Sequence, residues 1–576
     1  MTLTAVGKAN QSRSNWGVLA LWLLPLLFLV LFFFAPLFSV FKLAAQAAVE
    51  AEAQTGLLQR VTRPLGFTFY QAALSTLFTL IIGLPSAYIF GRYNFPGKSL
   101  LRVLTTLPFI LPTVVVAAAF NALIGPRGWI NLALMGVFDL TAPPLQMLNS
   151  LPAILIAHVF YNTTIVIRVV GSAWSQLDPR MEQASRVLGA TPLRTLREVT
   201  LPLLRPAILA AGLLVFMFDF TSFGVILLLG GPQYATLEVE IYIQAMHMLN
   251  LPLAGLLSAV QLLCTLVLTV AYSRASLNLN VPLAPRLQGE GMSSLRSLRS
   301  WRQKLLAGVT VVLLAALLIL PLAALGARSL VRLEADHGDR GEVNTGLTLD
   351  YYRELFVNRR QSLFYVPPIE AARNSLAYAG TTVLFSLTLG FLASSALAKR
   401  ARINAVLDPV LMLPLGTSAV TLGLGFIVVF NRPPFDPGSL PLLIPLAHSL
   451  VALPFVVRTL LPALRSIPVS LRQAAAVLGA SPWRVWWEVD LPIIARAALV
   501  SAVFAFTISL GEFGATSFLA RPEYPTLPVA IYRFIGQPGA LNYGQALAMS
   551  TLLMVACGLG ILLIERVRLP GIREEW

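Results

Sequence analysis

The sequence predicts an all-α polytopic membrane protein, with twelve transmembrane helices arranged as two parallel six-helix repeats. Three observations predict it. The composition is too apolar for a water-exposed surface, apolar runs are long enough to cross a bilayer, and a long stretch of the chain matches itself at constant spacing.

The chain is 57% hydrophobic and 12% charged, with a mean hydropathy of +0.76; its charge content is about half that of a typical soluble protein. The run from Val18 to Val40 exceeds the ~20 residues needed to cross the hydrocarbon core. Spans are expected near 17–41, 68–91, 101–124, 148–170, 203–229 and 252–273, then near 304–326, 374–398, 405–430, 440–463, 493–519 and 543–565. These divide the chain into a first half (1–275), a basic linker (276–303) and a second half (304–576). A short polar head with Lys8 and Arg13 precedes an apolar run too long for a cleavable signal peptide.

A formal charge of +16 does not point to nucleic acid. The basic residues sit in short loops between apolar runs, where Lys and Arg collect on the cytoplasmic side of a membrane protein. The segment from Arg274 to Lys304 has six basic residues and one acid, Glu290. It falls on the same side as Arg92, Lys98, Arg102, Lys399, Arg400 and Arg402. That assignment puts both termini in the cytoplasm and the loop from Arg328 to Arg373 outside, in a multi-pass protein of the plasma or inner membrane surrounded by lipid. Cys264 and Cys557 lie far apart in apolar segments and read as small core residues.

From His158 to Tyr242 the chain aligns with itself at an offset of 290, pairing His158 with His448 and continuing without a gap to Tyr242 and Tyr532. Arg168 pairs with Arg458, Gly189 with Gly479, Leu201-Pro202 with Leu491-Pro492, Gly224 with Gly514 and Pro232 with Pro522. Shared hydrophobicity does not align polar, Pro and Gly positions in this way. Upstream, Gly83 and Pro108 meet Gly390 and Pro414 at offsets of 307 and 306. The first half therefore carries an insertion in an outer loop, around Gly125 to Trp129. An even number of spans per half makes the duplication parallel.

The repeated inner loop is the main functional candidate. It reads Gln183-Ala184-Ser185-Arg186-Val187-Leu188-Gly189 and Glu198-Val199-Thr200-Leu201-Pro202 in the first half. In the second it reads Gln473-Ala474-Ala475-Ala476-Val477-Leu478-Gly479 and Glu488-Val489-Asp490-Leu491-Pro492. Gly189 and Gly479 suit the positive φ that ends one short helix and lets another leave at an angle. Pro192 and Pro482 suit the first turn of the second helix, and Pro202 and Pro492 mark the return into the membrane.

At these residues the chain resembles the membrane subunits of binding-protein-dependent ABC importers, whose signature is Glu-Ala-Ala, three residues, Gly, nine residues, Ile, one residue, Leu-Pro. Both copies keep the Ala, the Gly and the Leu-Pro at that spacing, and both carry Gln for the Glu and Val for the Ile. The resemblance implies the type I permease fold of ABC importers, with each loop seated in a groove of an ABC ATPase homodimer. It implies that the permease is not catalytic and binds no cofactor, ATP and magnesium residing on the ATPase, and that an extracytoplasmic binding protein delivers a small solute. Fusion of two halves is characteristic of the ferric iron and thiamine branches. The stretch Gly230-Gly231-Pro232-Gln233-Tyr234-Ala235-Thr236 with Glu240-Ile241-Tyr242 looks most like the thiamine permeases. Molybdate, sulfate, phosphonate and polyamine systems are the alternative cargoes. An ion-gradient-driven secondary transporter is the alternative class, favoured by inverted repeats that are not evident here.

Gly97-Lys98-Ser99 imitates the end of a phosphate-binding loop, but five residues separate Gly91 from Gly97 where four are needed, and an apolar span precedes it. Asp219 in the fifth span and Glu512 in the eleventh are ionisable groups at membrane depth, which usually face a partner or a cavity. The repeat maps Asp219 onto Ser509 and Ser222 onto Glu512, and these four are the candidate translocation-pathway residues for a cationic solute. The alternative is that the acids satisfy local polar groups. His158 and His448 start equivalent spans and read as interfacial hydrogen-bonding groups rather than metal ligands.

Overall fold

A computed structural model describes residues 17–50, 56–277, 296–298, 300–332, 346–357, 366–399, 401–431 and 441–567. Lys8, Arg13, Arg400, most of the linker and two parts of the loop between Arg328 and Arg373 lie outside the described residues. The chain is nearly all helical. Among the described residues, eleven helices are long and apolar enough to cross a membrane, and a bent pair, Asn404–Gly416 and Ala419–Phe430 at 96°, makes a twelfth span. Each overlaps one of the twelve expected spans.

The bend in span 9 has a local cause. Pro414 lies in a short 3-10 turn, Thr417 is extended, and the Ser418 hydroxyl accepts from the Val420 and Thr421 amides (3.1 and 3.3 Å) to start a new helix. The first half breaks at the matching place. Leu111 is extended before Pro112, which separates Lys98–Ile110 from Thr113–Ile124.

Spans 5 and 11 differ from expectation at both ends. They begin earlier, at Pro192 and Pro482, and end at Phe220 and Gly511 rather than near 229 and 519. The apolar runs that follow belong to separate short helices, Gly224–Leu229 and Thr516–Leu519. Thr221, Ser222 and Glu512 occupy the gaps, where polar side chains can satisfy backbone groups freed by the break. Asp219 is thus in the last turn of its helix, and Glu512 lies just past the end of its own.

The chain forms two compact units. One comprises 56–240 and 261–348; the other comprises 1–55, 241–260 and 349–575. In the former, span 2 (Leu57–Arg92) lies along span 4 (Leu151–Gln176), and Gly83 permits the approach: a Cβ there would sit 2.6 Å from Val166 Cβ. In the latter, a Cβ on Gly390 would sit 2.5 Å from Val456 Cγ1, the repeat equivalent of the same contact. Small residues allow helices in a bilayer to pack this closely.

These units do not coincide with the sequence halves. Trp301–Arg328, the first span of the second half, packs on Thr113–Ile124 in the unit built from the first half. The first helix of the chain packs on Ala419–Phe430, with Pro36 against Gly425 and Trp22 Nε1 donating to Asn404 Oδ1 (3.0 Å).

Candidate functional site

Each repeated inner loop is a short helix, a tight turn and a second helix that continues into the next span. The first helices are Pro179–Val187 and Val469–Val477. Gly189 (φ +87°) and Gly479 (φ +80°) close them. Each turn has both bonds of a Schellman motif: Gly189 N to Arg186 O and Ala190 N to Ser185 O, each 3.0 Å, with Gly479 to Ala476 and Ala480 to Ala475 at the same distances. Thr191 and Ser481 cap the second helices, in which Pro192 and Pro482 take the first position. Pro202 and Pro492 do not turn the chain as the sequence suggested. One π turn, Leu196–Thr200 or Trp486–Asp490, absorbs each proline, with Leu201 N bonded to Leu196 O and Leu491 N to Trp486 O.

The loops are held to their own units by different ion pairs. Glu182 accepts from Arg92 at the end of span 2 and from Thr200 Oγ1 (3.1 Å). At the corresponding positions of the second loop, Arg472 Nε donates to Asp490 Oδ1 (2.8 Å), so the carboxylate has moved to the other helix. Ser185 and Thr195 share a hydrogen bond (2.7 Å) where the second loop has Ala475 and Val485. Glu198 pairs with Arg194 and Glu488 with Arg484 on open surface, where such pairs contribute little.

The outward faces have the character of a docking surface. Gln183, Ala184, Gln473 and Ala474 are exposed. Leu188 is 88% exposed and Leu478 87%, and Val187 and Val477 beside them are equally open. Leu201, Pro202 and Pro492 are also exposed, and Leu491 is half-buried. Sequence reasoning singled out the framework of these loops. It missed the anchoring groups Arg92, Glu182, Arg472 and Asp490, whose roles depend on contacts 18 to 90 residues apart.

The four candidate pathway residues meet the two repeat-related histidines. His158 Nε2 bonds Ser222 Oγ (2.8 Å), while its Nδ1 bonds Ser75 Oγ (2.9 Å) and lies 3.3 Å from Asp219 Oδ1. Asn162 Nδ2 donates to Asp219 Oδ1 (2.7 Å), and Asp219 Oδ2 has no hydrogen-bond partner among the described residues. His448 Nδ1 bonds Ser509 Oγ (2.7 Å), and its Nε2 bonds Thr516 Oγ1 (2.8 Å) and lies 3.3 Å from Glu512 Oε2. Glu512 accepts from the Ala515 and Thr516 amides (2.7 and 2.9 Å) and caps the short helix that follows. Both histidines are buried rather than interfacial, and both acids are buried within their own units. Each hub ties span 4 or 10 to the break after span 5 or 11.

Lys98 has a structural task. It is buried, with Nζ donating to Phe90 O and Tyr93 O (2.7 Å each), the last carbonyls of span 2. Burial, with Arg102 nearby, lowers its pKa to about 8. Cys264 and Cys557 are both free thiols.

Comparison with known proteins agrees with this architecture. The profile of the family described as binding-protein-dependent transport system inner membrane component matches twice, over residues 79–279 and 386–570. A probable ABC transporter permease protein of Sinorhizobium fredii is 26% identical over 97% of this chain and 96% of its own length. The thiamine transport system permease protein ThiP of Escherichia coli is 28% identical over 88% of each chain. Among solved structures, a bacterial ABC transporter that imports alginate is 17% identical, at a TM-score of 0.40, over 47% of this chain and 98% of its own. With its two matched domains and twelve spans, the chain belongs to the inner membrane components of binding-protein-dependent transport systems.

Proposed function

We propose that this chain is the whole permease of a thiamine importer. A binding protein delivers thiamine from the extracytoplasmic side, and two copies of an ABC ATPase, which hold the ATP and magnesium, engage the two inner loops from the cytoplasm. The carrying observation is the pair of matched loops, each a Schellman-turned helical hairpin with an apolar tip in open solvent. An apolar tip left open in this way marks a protein-binding surface. Thiamine is supported by the relatives that bear its name and match this chain over nearly its whole length.

In this reading both termini are cytoplasmic, and Asp219 and Glu512 hold the broken ends of spans 5 and 11 rather than touch the solute. Their engagement by His158, Asn162, His448 and Thr516 supports that role. The test is uptake by vesicles containing the permease, a candidate ABC ATPase and the binding protein. Labelled thiamine should enter only with internal ATP, and excess ferric ion should not compete. Uptake driven by an ion gradient without the ATPase would refute the importer reading, and competition by ferric ion would redirect the substrate.

A further inference from the structure

The two docking loops share an apolar tip but differ beside it. On the first loop, the exposed residues flanking Val187 and Leu188 include Arg180, Arg186, Arg194 and Arg197. On the second loop three of these four positions are uncharged: Ser470, Ala476 and Trp487 replace Arg180, Arg186 and Arg197, and only Arg484 remains. Leu193, 74% exposed, becomes Trp483, 68% exposed. Trp483 and Trp487 stand one helical turn apart and meet edge to face, 5.8 Å between ring centroids at 75°. Trp487 is 53% exposed.

We propose that the two loops hold the same ATPase surface by unlike chemistry: the second loop anchors through the edge-to-face Trp483–Trp487 pair, and the first through its arginines. This rests on the reading that both loops dock on the ATPase. Two exposed edge-to-face indoles add aromatic surface to the same hairpin that bears the apolar tip, and tryptophan is among the residues that dominate binding when a partner desolvates them. Position 193/483 is apolar and open in both copies. Exposed arginines act over a distance that salt shortens, to about 8–10 Å at 0.1–0.15 M. The second contact is therefore less sensitive to salt and slower to release, while the first weakens more as salt rises. A homodimeric ATPase then has one firm seat and one adjustable seat, and its groove must admit either a leucine or an indole.

The experiment measures binding of the ATPase that restores uptake to the full-length permease in nanodiscs, at about 0.1 M and about 0.5 M salt. Trp483→Ala/Trp487→Ala should weaken binding at least about 30-fold at both salt levels, the scale of a two-tryptophan hot spot. Trp483→Phe/Trp487→Phe should retain most of the affinity, which separates an aromatic contact from a folding defect. Arg186→Ala/Arg197→Ala should weaken binding about 3- to 10-fold at low salt and little at high salt. Equal losses and equal salt dependence for the two loops would overturn the proposal while leaving docking intact. Unchanged affinity in the tryptophan variant, with brominated lipid quenching more indole fluorescence in the parent than in Trp483→Phe/Trp487→Phe, would overturn it in favour of a membrane-interface role. If Leu188→Asp/Leu478→Asp also leaves affinity unchanged, the docking reading itself fails.

Discussion

The two histidine hubs perform one task with differently placed atoms. In each, a histidine on span 4 or 10 reaches a hydroxyl on one side and a carboxyl on the other, across the break that follows span 5 or 11. In the first hub the acid is Asp219, one position inside the helix end, and the hydroxyl is Ser222. In the second the hydroxyl is Ser509, and the acid, Glu512, sits where Ser222 would be. Duplication has preserved the connection between elements but not which residue carries the charge. The difference has an energetic consequence. Glu512 keeps two backbone amides and the Thr516 hydroxyl whatever the histidine does, whereas among the described residues Asp219 has a single amide donor from Asn162 besides His158, and one bare oxygen.

The largest expected effect tests that asymmetry. His158→Ala should destabilise the protein by about 2–4 kcal/mol, because it opens a cavity and leaves the buried Ser75, Ser222 and Asp219 side chains without their shared partner. His448→Ala should cost about 1–3 kcal/mol, because Glu512 retains its donors. Thermal unfolding in detergent, read as the fraction surviving size-exclusion chromatography, gives the ranking. A His158→Ala protein as stable as its parent but unable to transport would move Asp219 from packing to the solute path. Full transport by the Asp219→Asn/Glu512→Gln double variant would place both acids off that path.

A second comparison predicts equality. Gly83 against Val166 and Gly390 against Val456 are the same close approach in each unit. Alanine at either glycine should cost about 1–3 kcal/mol through overpacking; Val456→Ala, which removes the Cγ1 at 2.5 Å, should restore most of the loss at Gly390, and Val166→Gly, which removes the Cβ at 2.6 Å, is the matching rescue at Gly83. Rescue in one unit only would show that the repeat-related contacts have diverged in tightness.

A smaller effect, about 1 kcal/mol, is expected from converting one hub into the other. Asp219→Ser/Ser222→Glu should retain the fold, since a glutamate at 222 could accept from the amides of Val225 and Ile226 as Glu512 does from Ala515 and Thr516. The residual loss is one hydrogen bond, because Ile226 stands where Thr516 supplies a hydroxyl. Folded yield below that of both single variants would show that the hubs are not interchangeable.

Much of this was legible in the sequence because duplication preserves what it cannot easily change. The glycines of the Schellman turns, the Leu-Pro steps and the twelve apolar runs all sit at positions where backbone geometry or bilayer thickness restricts the choice. The ends of spans 5 and 11 were not legible. Gly224–Leu229 is as apolar as the helix before it, and hydropathy cannot see a break inside an apolar run. The convergence of Asp219, Ser222, Ser509 and Glu512 on two histidines needed tertiary packing, although the repeat frame had already put the acids three positions apart. The packing of each first span with the other half leaves no periodic signal at all. Its trace is a pairing such as Trp22 with Asn404, 382 residues away.

The smallest effect concerns Lys98 and Asn404, which stand 306 residues apart and close the same helix end in the two halves. Lys98 Nζ donates to Phe90 O and Tyr93 O at 2.7 Å each; Asn404 Nδ2 donates to Ala396 O and Lys399 O at 2.8 Å each, and these carbonyls are themselves offset by 306. One cap titrates and the other does not. The folded pKa of Lys98 is depressed to about 8, below its ordinary value of 10.5, so burial of the charged ammonium costs stability at neutral pH. Between pH 8 and 10.5 the unfolded chain binds more protons than the folded one at this site, and its contribution to stability rises with pH across that window. Lys98→Met should remove this rise and lose the two capping bonds, while Asn404→Leu should lose its bonds with no change in pH dependence. Unfolding temperatures at pH 7.5 and about pH 9.5 for the parent and the two variants measure both effects, judged against the folded and unfolded proton balance. A slope that persists in Lys98→Met would assign the titration to another group and leave the two caps alike in chemistry as well as in place.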